Sequence, residues 1–301
     1  MPSSGYGRSV PSPGGSAPSL PGEYPRPQTP ERLGRAVRAA SLCVASGKGG
    51  TGKSVIASSI SALLARRGRT LIFDADFGVG NAHIFQDVSP PKTIAQVVEG
   101  SDSMRDIVVP CSGQLDLIAA GSGVPRLASL SEYEMHLLST GLEDLEFDYQ
   151  YLVVDSAAGV SCQTVSFAGS CDLTLIVTTP DLTAMTDAYA FFKVLMARSS
   201  RRPLLVVNRV QDEQQGHEVA DRMLKVCGRF LGIQPIPIGH VPEDPEVGLC
   251  VNQRSCVVLR EPEAPASQAL ERVAVKVLEH MGREHPAGMG RQLSGNIGFA
   301  C

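Results

Sequence analysis

Between Leu42 and Ser54 the chain runs from four apolar residues, Leu42 to Ala45, straight into S-G-K-G-G-T-G-K-S. A buried strand, a glycine-rich turn and then an amphipathic helix leave few folds open, because such a turn aims successive backbone N–H groups at an anion. Gly47, Gly52, Lys53 and Ser54 satisfy the spacing G-x-x-x-x-G-K-[S/T]. Gly47, Gly49, Gly50 and Gly52 remove the Cβ atoms that would block a phosphate, and Thr51 lies in the same turn. Lys53 is placed to reach the β- and γ-phosphates. Ser54 opens the helix, whose N-terminal dipole also faces the anion, and its hydroxyl is placed to ligate Mg²⁺.

Downstream, chemistry-bearing residues recur at the ends of apolar runs. Thr70 to Phe73 reads as a strand delivering Asp74 and Asp76, and Tyr151 to Val154 as one delivering Asp155. In a parallel sheet, carboxylates at the C-terminal ends of strands point into the crevice where ligands bind. Asp155 after an apolar strand has the arrangement that holds a Mg²⁺-bound water, and Gly159 beyond it can approach a γ-phosphate. Leu173 to Thr178 is a further buried strand, after which Asp181 or Thr183 can cap a helix. Leu204 to Val207 presents Asn208 and Arg209, and an amide that donates and accepts at once suits the adenine edge, a plain loop asparagine being the other reading. Ser131 and Glu134 have capping-box spacing, and Ser103 to Val108 is expected to be a short helix. Strands alternating with helices over short connections predict an α/β fold, a doubly wound, mainly parallel sheet with helices on both faces.

Composition bounds the rest. At 301 residues, 43% apolar and 19% charged, the chain can bury one sizeable core. Residues 1–30 are dominated by Pro, Ser and Gly and are expected to be a disordered tail, residues 31–282 the phosphate-binding domain, and residues 283–301 a flexible tail broken by Pro286, Gly288, Gly290 and Gly295. A net charge of −4 argues against bulk attraction to nucleic acid or anionic lipid, and Arg198, Arg201 and Arg202 form the one dense basic cluster late in the chain. The eight cysteines have no C-x-x-C pairing and read as reduced core filler. Met1 is followed by no apolar leader and no run spans a membrane, so a cytoplasmic location is expected.

Lys48, directly after the first glycine, makes the loop K-G-G-T-G-K-S. This resembles the deviant Walker A ATPases of the MinD and ParA group. The resemblance implies ATP and Mg²⁺ as ligands and an ATP-dependent homodimer in which Lys48 acts across the interface, neutralising charge on the transferred phosphoryl. The run Asp74 to Asn81, D-x-D-x-G-x-x-N, is similar to the group's switch I. By that likeness Lys48, Lys53 and Asp76 are catalytic, Asp76 orienting the attacking water, and Ser54, Asp74 and Asp155 serve the metal. Asn208, Arg209 and the V-P-E-D-P-E-V run with Pro242, Glu243 and Asp244 resemble the group's base-binding elements.

Two further phrases, G-S-G-V-P-R-L-A-S-L-S from Gly121 and T-T-P-x-x-T-A-x-T-D-A-Y from Thr178, are similar to the flagellar-number branch, FlhG or FleN. That branch implies control of flagellar number or placement. Its partners would be a signal-recognition-type GTPase, switch-ring proteins or a transcription regulator. The C-terminal run does not resemble the group's basic membrane helix, which leaves a peripheral position at the inner face of the membrane open. The alternative within the same group is a ParA-like positioning ATPase bound to DNA.

Overall fold

Strands buried on both faces read as continuous apolar runs, and that is how this sheet is built. A computed structural model describes residues 37–121, 124–282 and 286–297. The expectation for residues 1–30 lies outside them. The first half of the chain forms β1 (Ala40–Ser46), α1 (Lys53–Ala65), β2 (Thr70–Ala75), α2 (Ala82–Phe85), α3 (Ile94–Val98), β3 (Val109–Pro110), β4 (Leu115–Ile118) and α4 (Glu132–Leu145). Next come β5 (Tyr151–Ala158), α5 (Cys162–Ser170), β6 (Leu173–Thr178), α6 (Leu182–Met196), β7 (Leu204–Val210), α7 (Glu213–Leu231) and β8 (Ile236–Pro242). The chain closes with α8 (Pro245–Asn252), α9 (Val257–Arg260), α10 (Pro265–Met281) and α11 (Met289–Asn296).

The sheet order is β3-β4-β2-β5-β1-β6-β7-β8, parallel throughout except for the antiparallel edge strand β3. One apolar layer joins the sheet to α3 through α7 and α11, through residues such as Phe73, Leu142, Phe191 and Leu293. The other joins it to α1, α2 and α8 through α10, through Ile56, Ile60, Val257 and Val277. The expected doubly wound fold is therefore present. Connections between neighbouring strands leave β1 in the centre, flanked by β5 and β6, so the turn after β1 sits where the winding reverses.

Local signals account for the helix starts. Ser131 accepts from the Glu134 N–H while Glu134 accepts from the Ser131 N–H, a complete capping box, and Asp181 rather than Thr183 caps α6. Ser103 to Val108 departs from expectation. Met104 and Ile107 are buried at helical spacing, but Asp106 accepts from both the backbone N–H and the hydroxyl of Ser103, closing a turn that leads into β3.

The expected flexible tail from residue 283 is corrected as well. Within it α11 packs on α4 and α5, with Met289 and Leu293 fully buried. Gly290, read as a breaker, is a close-approach residue: a Cβ there would sit 2.5 Å from the Ser139 carbonyl and the Glu143 N–H of α4. Its own N–H donates to Glu146 at 2.5 Å, and the Ala287 N–H donates to Asp172 at 3.0 Å. Of the cysteines, Cys43, Cys171, Cys227, Cys250 and Cys256 are free and buried, as expected of core filler, whereas Cys162 is exposed and disulfide-bonded.

Candidate functional site

The strand order brings three chain segments to one place. Asp155 on β5 is the register partner of Val44 on β1 and of Asp74 on β2, so the glycine-rich turn and both carboxylates meet at the same end of the sheet. Gly47 lies so close to α6 that a Cβ would overlap the Asp187 carbonyl, while Gly52 takes φ +90° and passes the chain into α1. No side chain caps α1, whose first turn carries no acid, so its leading N–H groups face the turn unspent. Lys53 is buried, Thr51 is buried, and Ser54 is half-buried. The Ser46 hydroxyl donates to the Lys48 carbonyl at 2.7 Å, and the Gly159 N–H donates to the Ser46 carbonyl at 2.9 Å, tying the turn to the end of β5.

Asp155 is fully buried within β5, which runs on to Ala158 instead of ending at Val154. Neither of its carboxylate oxygens has a hydrogen-bond partner. Burial pushes its pKa up to about 6, against the pull of the Lys53 ammonium and of the nearby Ser54 hydroxyl, which does not reach hydrogen-bond geometry. An unpartnered buried carboxylate beside a serine hydroxyl and a lysine fits a divalent cation with a phosphate. Among the described residues no three His, Cys, Asp or Glu side chains form a metal-holding group, so the rest of a cation's shell would come from phosphate oxygens and water.

Asp74, expected to serve the metal, makes two backbone hydrogen bonds within the turn that follows it. It is buried, with Oδ1 accepting from the Asp76 N–H at 3.1 Å and Oδ2 from the Ala82 N–H at 3.0 Å. It brackets the Asp76–Asn81 turn from behind. Burial, and after it the Asp155 carboxylate, push its pKa well above the ordinary range. Asp76 is half-buried and accepts from the Val79 N–H at 3.1 Å. A feature not read from the sequence holds this turn: Phe77 within it, Phe73 on β2 and Phe167 on α5 form a buried aromatic trio with centroids 5.7 to 6.0 Å apart. Their positions in the sequence carry no sign of the meeting.

Beside the turn lies a cavity of about 430 Å³, walled by Lys48 to Thr51, by Thr179 to Asp181, and by Arg209, Gln211, Gln215 and Glu243. Lys48 is half-buried on this wall, where its ammonium meets Asp181 at 2.8 Å and the Thr183 hydroxyl. Arg209, at φ +60°, makes a two-pronged pair with Glu243 at 2.6 and 3.1 Å. Asn208, expected at a base edge, donates its amide N–H to the Thr51 carbonyl at 2.8 Å. Pro242 ends β8. Asp244 is spent on structure, accepting from the Glu246 and Ala266 N–H groups at 3.0 Å each, which leaves it as the cap of α8 and a tie to α10.

Residues 42–255 match the CobQ/CobB/MinD/ParA nucleotide-binding domain. The chain belongs to that family. It is a MinD/ParA-type ATPase. It is 32% identical over 238 residues to the antiactivator FleN of Pseudomonas aeruginosa, covering 78% of this chain and 85% of that one. It is 28% identical over 235 residues to the flagellum site-determining protein YlxH of Helicobacter pylori, covering 77% and 80%. The fold matches the septum site-determining protein MinD complexed with Mg-ADP from Pyrococcus horikoshii, with a TM-score of 0.68, 20% identity, and 79% and 96% coverage.

For a MinD/ParA-type ATPase the basic cluster late in the chain is largely occupied. Arg201 donates to the Cys171 carbonyl at 3.0 Å and to Gln292 at 3.1 Å, and Arg202 to the Gln234 carbonyl at 3.0 Å. No helix among the described residues is long and apolar enough to cross a membrane.

Proposed function

We propose that this ATPase is a dimerising switch that regulates flagellar number or placement: ATP with Mg²⁺ brings two copies face to face, and hydrolysis lets them part. The observation that carries the reading is the position of Lys48. Its side chain lines the cavity, 39% exposed and paired with Asp181, within reach of a second chain laid over that face. Val79 in the turn after Asp76, Val160 beyond Gly159 and Leu182 beside Asp181 are exposed apolar side chains that flank the same region, which suits a face that another chain covers.

Within the site, the α1 N-terminus and Lys53 bind the phosphates, and Asp76 orients the attacking water. Lys48 of the partner copy neutralises charge as the bond to the γ-phosphoryl breaks. Ser54 and, through water, Asp155 would hold Mg²⁺, which when bound offsets the charge of the phosphate oxygens. The turn bracketed by Asp74 and the run after Asp155 are the two segments whose arrangement a γ-phosphate would bias, so each nucleotide state presents a different face to partners.

The likeness to FleN and YlxH supports the flagellar assignment, with a signal-recognition-type GTPase, switch-ring proteins or a transcription regulator as client, in the cytoplasm. The DNA-bound alternative loses its main support in Arg201 and Arg202, whose guanidinium groups serve intramolecular bonds. The test is a pull-down from native lysate with Asp76→Ala held in Mg²⁺-ATP against Lys53→Ala. Flagellar GTPase, switch-ring or regulator proteins retained only by Asp76→Ala support the reading. Chromosomal DNA or a partition adaptor retained instead overturns it.

A further inference from the structure

Asn208 and Arg209, neighbours near the end of β7, face opposite ways. Asn208 is 7% exposed, and its Nδ2 donates to the Thr51 carbonyl at 2.8 Å. The carbonyl can only accept, so this contact decides which end of the amide meets the loop. Gly52 follows at φ +90°, and a Cβ there would overlap Asn208 Nδ2, so the amide occupies the space a side chain at position 52 would fill. The register between β7 and β8 shifts at this point, and Arg209 swings outward to Glu243 on the cavity rim.

We infer that Asn208 is a positioning residue of the phosphate loop. Its amide holds the Thr51–Gly52 peptide in the left-handed turn that aims Lys53 and the first N–H groups of α1. This rests on the reading of Gly47 to Ser54 as a phosphate site. A loop fixed before ligand arrives does not have to be ordered by it, and that advantage is the same for every ligand carrying the phosphates, whether or not a base is attached. A residue that reads the base helps only ligands that have one.

The experiment is calorimetric titration with Mg²⁺-tripolyphosphate and with Mg²⁺-ATP on wild type, Asn208→Ala and Asn208→Asp, with Lys53→Ala as the site control. Loss of one buried hydrogen bond weakens both ligands by the same factor, about fivefold to tenfold. Asn208→Asp, which faces the Thr51 carbonyl with an acceptor, weakens both at least as much. If Asn208→Ala does not fold, Asn208→Ser, with a shorter donor, is read on the same ratio. ATP binding weakened with tripolyphosphate unchanged makes Asn208 a base reader and overturns the inference. Wild type that binds neither ligand in a Lys53-dependent way overturns the phosphate site itself, a distinct failure.

Discussion

The Lys48 ammonium lies 2.8 Å from Asp181 Oδ2 of its own chain, at the start of α6. Lys48, with the Thr183 N–H and hydroxyl, holds the Asp181 carboxyl below its usual range. Both side chains are open to solvent, at 39% and 51%, so water screens the pair and it opens easily. A lysine held only by a solvent-screened pair can be released to serve a second chain. Lys48→Ala should bind ATP within about twofold of wild type. Its turnover should fall on the order of a hundredfold or more and lose its rise with protein concentration. Phosphate release measured across a dilution series checks this, and wild-type turnover in the variant would refute the cross-chain role.

Asp74 and Asp76 should separate cleanly. Asp74→Ala leaves the Asp76 and Ala82 N–H groups without their acceptor in a buried site, a cost of about 2 kcal/mol or more in urea unfolding. Asp76→Ala removes one bond, to Val79, and should leave stability within about 1 kcal/mol while ATP stays bound and hydrolysis slows. An unchanged hydrolysis rate would give Asp76 a purely structural role.

Chelating Mg²⁺ should weaken ADP binding at least tenfold, and Asp155→Asn should show little further loss on chelation. The same substitution removes a buried carboxylate that has no hydrogen-bond partner. The metal-free variant should therefore melt at or above the wild-type temperature at pH 7. A lower melting temperature with intact Mg²⁺ dependence would remove Asp155 from the metal site.

Glu146 ties α11 down, accepting from the Gly290 N–H and pairing with Arg38 at 2.9 Å. Burial pushes its pKa above the ordinary 4.5, with Gly290 and Arg38 opposing. A carboxyl raised in the folded state contributes stability while protonated and loses that contribution as pH rises from its unfolded value through its folded one. Glu146→Gln keeps an acceptor for Gly290 without the charge. It should be at least as stable as wild type at pH 8, with the difference shrinking toward pH 4. Denaturant curves at both pH values decide it; a variant markedly weaker at pH 8 contradicts the sign.

Gly290→Ala should displace α11, since the new methyl meets backbone atoms of α4 that cannot yield. A loss of about 2 kcal/mol and earlier proteolysis within residues 286–297 are expected. Full retention of both would mean that α4 shifts to accommodate it.

Features set by near neighbours in the chain are legible from the residues alone. The cradle from Gly47 to Ser54, the apolar runs of β1, β5 and β6, and the Ser131–Glu134 capping box depend on spacing within a few residues, and spacing is what a sequence displays. Glycine misleads at Gly290 because the same residue marks a break in the chain or a close approach to another helix, and only the neighbour tells them apart.

What the tertiary structure decided are the meetings between distant residues. Asp74 and Asp155 share a register because β5 inserts between β1 and β2, and Phe77 meets Phe167 because α5 covers the same end of the sheet. Asn208 reaches Thr51, and Lys48 reaches Asp181, across more than a hundred residues of chain. The sequence by itself determined that this chain holds a phosphate on a parallel sheet. Which polar groups remain free to act there was decided by packing, because a buried carboxylate or amide bonds whatever the folded chain places beside it, and no local pattern names that neighbour.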